Sequence, residues 1–94
     1  MSYELSEELL FILTIFYKKR NFSSDKGYHS EKLNKIYGKK FPGRGHLVLK
    51  DAIKQLQNEG YITTIKKKED KYYISDIPKT VFVLQEHGLI KKIY

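Results

Sequence analysis

Leu56-Gln57-Asn58-Glu59-Gly60-Tyr61-Ile62-Thr63-Thr64-Ile65-Lys66-Lys67-Lys68-Glu69-Asp70-Lys71-Tyr72-Tyr73-Ile74-Ser75-Asp76 is the stretch that decides the fold of this chain. Gly60 follows a helical pattern, and glycine supplies the left-handed backbone that closes a helix. Tyr61 to Ile65 and Tyr72 to Ile74 are rich in aromatic and β-branched residues, which fit a pleated, half-buried surface. Lys66 to Lys71 lie between them as a charged tip. The stretch therefore reads as helix end, stop, strand, hairpin tip and returning strand.

Toward the N-terminus, the helix that Gly60 ends runs from about His46 to Glu59. Leu49, Ile53 and Leu56, with Val48 and Ala52, form its apolar stripe. His46, Lys50, Asp51, Lys54, Gln55 and Gln57 fall largely outside that stripe. The preceding Lys39-Lys40-Phe41-Pro42-Gly43-Arg44-Gly45 is a turn between helices, because Pro42 biases Phe41 away from helical angles and two glycines permit tight backbone. A short second helix is expected before it, with Ser30 as cap, Leu33, Ile36 and Tyr37 as apolar face and Gly38 as stop. Residues 21 to 28 form a turn-rich connection.

The first helix starts at Ser6, whose hydroxyl can cap an orphan N–H, and Glu7 and Glu8 suit the positive end of the helix dipole. Leu9, Ile12, Leu13 and Phe16 make one apolar stripe, while Leu10, Phe11, Ile15 and Tyr17 cover much of the rest. A helix apolar nearly all round needs burial on two sides. The second side implies either a partner chain, making Leu10, Phe11, Ile15 and Tyr17 a homodimer interface, or the C-terminal helix folding back. That last helix has Pro78 in its first turn, Val81, Leu84 and Phe82 as inward candidates, His87 at its end and Gly88 as stop. Leu84 to Ile90 thus echo Leu56 to Ile62: helix end, glycine, apolar exit.

Ninety-four residues make one small domain, too small to enclose a large active-site cleft. Without cysteine there is neither a disulfide framework nor a cysteine-ligated zinc site. The apolar run Leu9 to Tyr17 is too short to span a bilayer and follows glutamates rather than the positive charge of a secretory signal. A soluble cytoplasmic protein is expected. The net charge is +7, and residues 18 to 50 hold ten Lys or Arg against two acids, whereas residues 1 to 17 hold three acids and no Lys or Arg. Such concentration suits a footprint on a polyanion; a lysine-rich solvated surface is the plainer alternative.

The order helix, helix, turn, helix, strand, charged tip, strand, helix resembles the winged-helix (winged helix-turn-helix) DNA-binding family, in particular the small archaeal and bacterial transcription regulators. The resemblance covers roughly residues 5 to 76 and is most specific from Leu49 to Ile74. It implies an α+β fold over residues 1–94: a three-helix core with a two-stranded hairpin wing over residues 5–76, then a C-terminal helix and tail. It also implies double-stranded DNA as partner and no cofactor. In that family the third helix enters the major groove and the wing lies on the backbone or minor groove. Carried over, His46, Lys50, Lys54 and Gln57 face base edges, and Lys66, Lys67, Lys68 and Lys71 face phosphates.

Elementary chemistry agrees with that assignment. Gln and Lys can reach the donor and acceptor edges of the major groove, and lysines on a tip neutralise phosphates without reading sequence. Lys39, Lys40 and Arg44 precede the third helix, where they can grip the backbone beside its N-terminus. A homodimer would present two such helices to successive major-groove faces. Two other readings stay open: a protein-protein interaction module of the same fold, and a single-stranded DNA or RNA binder using exposed Tyr beside Lys.

Enzymatic readings fare poorly. Gly38 to Gly45 has glycines at phosphate-loop spacing but lacks the following Lys and Ser or Thr, and no strand precedes it. His29, His46 and His87 form no close pair on one helix face, so no metal site is expected. No nucleophile is visibly paired with a base. The expectation is a non-enzymatic binding protein.

Overall fold

The computed structural model describes residues 5–43, 47–66 and 68–91. Four helices and a three-stranded antiparallel sheet make an α+β domain: α1 (Glu7–Lys18), β1 (Tyr28–His29), α2 (Ser30–Lys40), α3 (Leu49–Asn58), β2 (Ile62–Lys66), β3 (Asp70–Ile74) and α4 (Ile77–Glu86). A 3₁₀ turn, Ser24–Lys26, sits between α1 and β1.

α1 begins where the sequence places it. Ser6 Oγ accepts the Leu9 N–H at 3.4 Å, and Glu7 and Glu8 occupy the first turn. Leu9, Ile12, Leu13 and Phe16 are fully buried, each contributing roughly 1.5–3 kcal/mol by leaving water. The Phe16 ring lies 5.5 Å from Tyr28 and 6.1 Å from Tyr72, so this helix packs against the sheet through aromatic contacts. α4 packs on α1 as well. The apolar excess of α1 is thereby partly covered within the chain: Phe11 packs edge-on against Phe41, and Tyr17 against Phe22.

Three helices close with the same hydrogen-bonded stop, in which a left-handed residue lets the chain turn back on the last carbonyls. Gly60 (φ 82°) closes α3, with the Tyr61 N–H on the Leu56 carbonyl, and Gly88 (φ 69°) closes α4, with the Leu89 N–H on the Leu84 carbonyl. Arg20 (φ 57°) does the same for α1, with the Asn21 N–H on the Phe16 carbonyl. The echo between Leu56–Ile62 and Leu84–Ile90 is thus a shared cap, but among the described residues no strand follows the second copy.

Several expectations need correction. The sheet has three strands in the order β1-β3-β2, not two, because Tyr28 and His29 pair with Tyr72 and Lys71 of β3. Gly38 does not stop α2, which continues to Lys40 and ends at Phe41, the residue that Pro42 forces out of helical angles. Ser30 is the first helical residue of α2 and His29 its N-cap. α3 starts at Leu49 rather than His46, leaving Val48 62% exposed and outside the core. Ile36 and Phe82 are exposed too. β2 and β3 reach Lys66 and Asp70, so Lys66, Asp70 and Lys71 are strand residues rather than part of the tip.

Candidate nucleic-acid interface

Leu47 fixes where α3 begins. Its N–H donates to Glu8 Oε2 of α1 at 3.2 Å, and its carbonyl accepts from the Tyr37 hydroxyl of α2. Burial, reinforced by the negative charge of Glu8, pushes the Tyr37 hydroxyl above its ordinary pKa, so it stays a proton donor. At the other end of α3, the Lys79 ammonium donates to the Glu59 carbonyl and stands 4.4 Å over the Tyr61 ring. A cation there suits the negative end of the helix dipole. α3 is thereby fixed at both ends by groups from α1, α2 and α4.

The buried side chains of α3 are Ala52, Ile53 and Leu56. At 100° per residue, its exposed residues fall into two flanks of opposite character. Lys50, Lys54 and Gln57 lie on one, whereas Asp51, Gln55 and Glu59 lie on the other, where Gln55 Nε2 donates to Glu59 at 3.2 Å. The basic flank faces a groove of about 490 Å³ between α2, α3 and the β2–β3 hairpin. Lys50, Lys54 and Gln57 from α3 meet Thr64 and Lys66 from β2 there, with Ser30 and Asn34 from α2 across from them. The Thr64 hydroxyl donates to Gln57 Oε1, holding the α3 side chain against the strand.

Strand parity sorts the hairpin residues. Ile62, Thr64 and Lys66 pair with Ile74, Tyr72 and Asp70, and these share the face that turns toward the groove and core. Thr63, Ile65, Lys71 and Tyr73 take the opposite face. His29 pairs with Lys71 in the register and binds Glu69 through Nδ1 at 2.5 Å. Glu69 is thus drawn toward β1, while Asp70 remains an acid on the groove lining.

The structure therefore brings together Lys50, Lys54, Gln57 and Lys66 and separates them from others. Lys71 lies on the far face of the sheet, with Gly27 packed so closely on its Cβ that a methyl at that glycine would stand 2.8 Å away. Lys40 borders a different recess, with Leu10, Phe11 and Leu89, and Lys39 is exposed in the last turn of α2. Lys68 is exposed at the hairpin tip. Arg44, His46 and Lys67 lie outside the described residues. Sequence reading missed Ser30, Asn34 and Thr64, whose participation depends on α2 crossing the hairpin. No feature of the local sequence points to these three.

Chemically, the groove offers three ammonium groups at its edge together with amide and hydroxyl groups that donate and accept hydrogen bonds. That combination suits an extended anionic ligand with polar edges. Among the described residues no helix is long and apolar enough to cross a membrane. No family model, curated protein or solved structure matches the chain.

Proposed function

We propose that this chain is a winged-helix protein that binds double-stranded DNA without catalysis and serves as a transcription regulator. The observation that carries the reading is the convergence of Lys50, Lys54 and Gln57 of α3 with Thr64 and Lys66 of β2 on one groove, with the acidic flank of α3 turned elsewhere. A helix fits the B-DNA major groove and Gln or Lys can read its base edges, while the hairpin lysines would neutralise adjacent phosphates. The net charge of +7 supports a polyanionic partner. Asn34 of α2 adds an amide able to hydrogen-bond base or backbone at the same groove.

The test is binding to a fluorescent random-sequence duplex, followed by anisotropy at about 50 and 200 mM salt, over which phosphate contacts lose large factors in affinity. Steep weakening with salt is the expected result. Absence of binding at the lower salt would overturn the proposal and leave a protein-interaction module of the same fold.

A further inference from the structure

We infer that the outer seam of α1 and α4 docks a second copy of this chain, in an antiparallel arrangement that sets Glu7 of α1 against the partner's Lys18. Two recesses lie along this seam. The first, of about 360 Å³, is lined by Leu10, Phe11 and Thr14 of α1 and by Leu89 just after α4. The second, of about 260 Å³, is lined by Tyr17 and Phe22 at the end of α1 and by Ile77 and Val81 at the start of α4. The two helices thus run antiparallel, with a row of apolar side chains along their outer junction. Ile77 and Leu89 remain 38% and 40% exposed. Isolated exposed apolar residues are ordinary, but a contiguous row with charged margins marks an association surface.

The charges at the two ends identify the occupant. Glu7 borders the first recess, and Lys18 and Arg20 border the second. Glu7 and Lys18 are eleven positions apart on α1, which places them about 16 Å apart along the axis at 1.5 Å per residue. An isologous contact repeats one patch on both subunits, so it requires a patch complementary to itself. Here Glu7 stands at one end of the α1 stripe, Lys18 at the other, and apolar residues lie between them. A two-fold axis passing between Phe11 and Thr14 therefore matches Glu7 with the partner's Lys18 twice over. Thr14 poses no obstacle near that axis, because its hydroxyl already donates to the Leu10 carbonyl at 2.7 Å and leaves no orphan donor when covered. Lys40 and His87 also border the Glu7 end, so reversing the charges of Glu7 and Lys18 tests the register more sharply than removing them.

Sedimentation equilibrium of the full chain, without nucleic acid, reads the association directly and independently of DNA binding. The expected mass at micromolar concentration is twice the 11.2 kDa of one chain. Glu7→Lys and Lys18→Glu should each raise the dimer Kd about tenfold, as two symmetric surface pairs become repulsive contacts. The double variant should restore most of the loss, and Thr14→Arg should abolish the dimer by placing two like charges near the axis. Far-ultraviolet circular dichroism melts confirm that each variant is folded. A wild-type chain that stays monomeric at about 100 μM would overturn the inference, as would a dimer indifferent to both reversals or one the double variant fails to rescue.

Discussion

Replacing Lys50, Lys54 and Lys66 with Ala removes the three cations that border the α3–hairpin groove. If each neutralises one phosphate of a B-DNA duplex, the slope of log K against log salt becomes shallower by about 0.9 per lysine, or about 2.7 in all. Between about 50 and 200 mM salt, a fourfold change, that difference amounts to a factor of about 40 in affinity that wild type loses and the variant does not. The loss should be uniform across duplex sequences, since phosphate contacts carry no base identity. Lys50, Lys54 and Lys66 are exposed, so each substitution should leave stability within about 0.5 kcal/mol. Lys71→Ala is the matched control, because Lys71 lies on the opposite sheet face. Duplex anisotropy across a salt series measures both variants. A slope unchanged in the triple variant would refute the assignment of the groove, and so would an equal drop caused by Lys71→Ala alone.

Three further outcomes follow from the fold. Arg20 closes α1 at φ 57° without being glycine, so Arg20→Gly should stabilise the chain by about 0.5–1 kcal/mol after the entropy cost of glycine, raising Tm by a few degrees in a calorimetric scan. Thr80 is fully buried in α4 and its hydroxyl has no hydrogen-bond partner among the described residues; Thr80→Val keeps the shape, removes the orphan donor and should gain about 1 kcal/mol in urea unfolding. Burial pushes the hydroxyls of Tyr28, Tyr37 and Tyr72 above the ordinary value of 10.0, with Glu8 adding to the effect at Tyr37 and Asp70 at Tyr72. The unfolded chain then releases these protons first, so it holds fewer than the folded one and stability falls as pH rises through 10. Urea midpoints between about pH 8 and 11 should show this decline, and Tyr72→Phe should make it shallower.

Local chemistry made the helices and the hairpin legible. Ser6 before two glutamates, Gly60 after the α3 stripe and Pro78 at the start of α4 each act within one turn of their own position, and each stands where the sequence puts it. β1 was not legible, because two residues carry no period and Tyr28 and His29 become a strand only through pairing with Tyr72 and Lys71, more than forty positions away. Arg20 shows a related limit: a cation at a helix end is explained by the dipole, and nothing local reveals that its backbone is left-handed. The Asn21 carbonyl accepting the Ile74 N–H at 2.7 Å shows the tertiary hold on that corner.

Recovery of the candidate site follows the same division, and strand parity explains its limits. Tyr72 and Tyr73 are neighbours on opposite faces, and each is a plausible core residue by composition. Choosing Tyr72 as the buried one, as the fold does, assigns Asp70 to the same face as Tyr72 and Lys71 to the other. The choice depends on Phe16, whose ring lies 6.1 Å from Tyr72 across the core, a contact between residues 56 positions apart. A run of lysines can be counted in a sequence, but the sheet face on which Lys66 and Lys71 stand follows from which of the two tyrosines is buried. The +7 charge therefore overstates any single binding surface, and the groove lysines, not the total, should set the salt dependence.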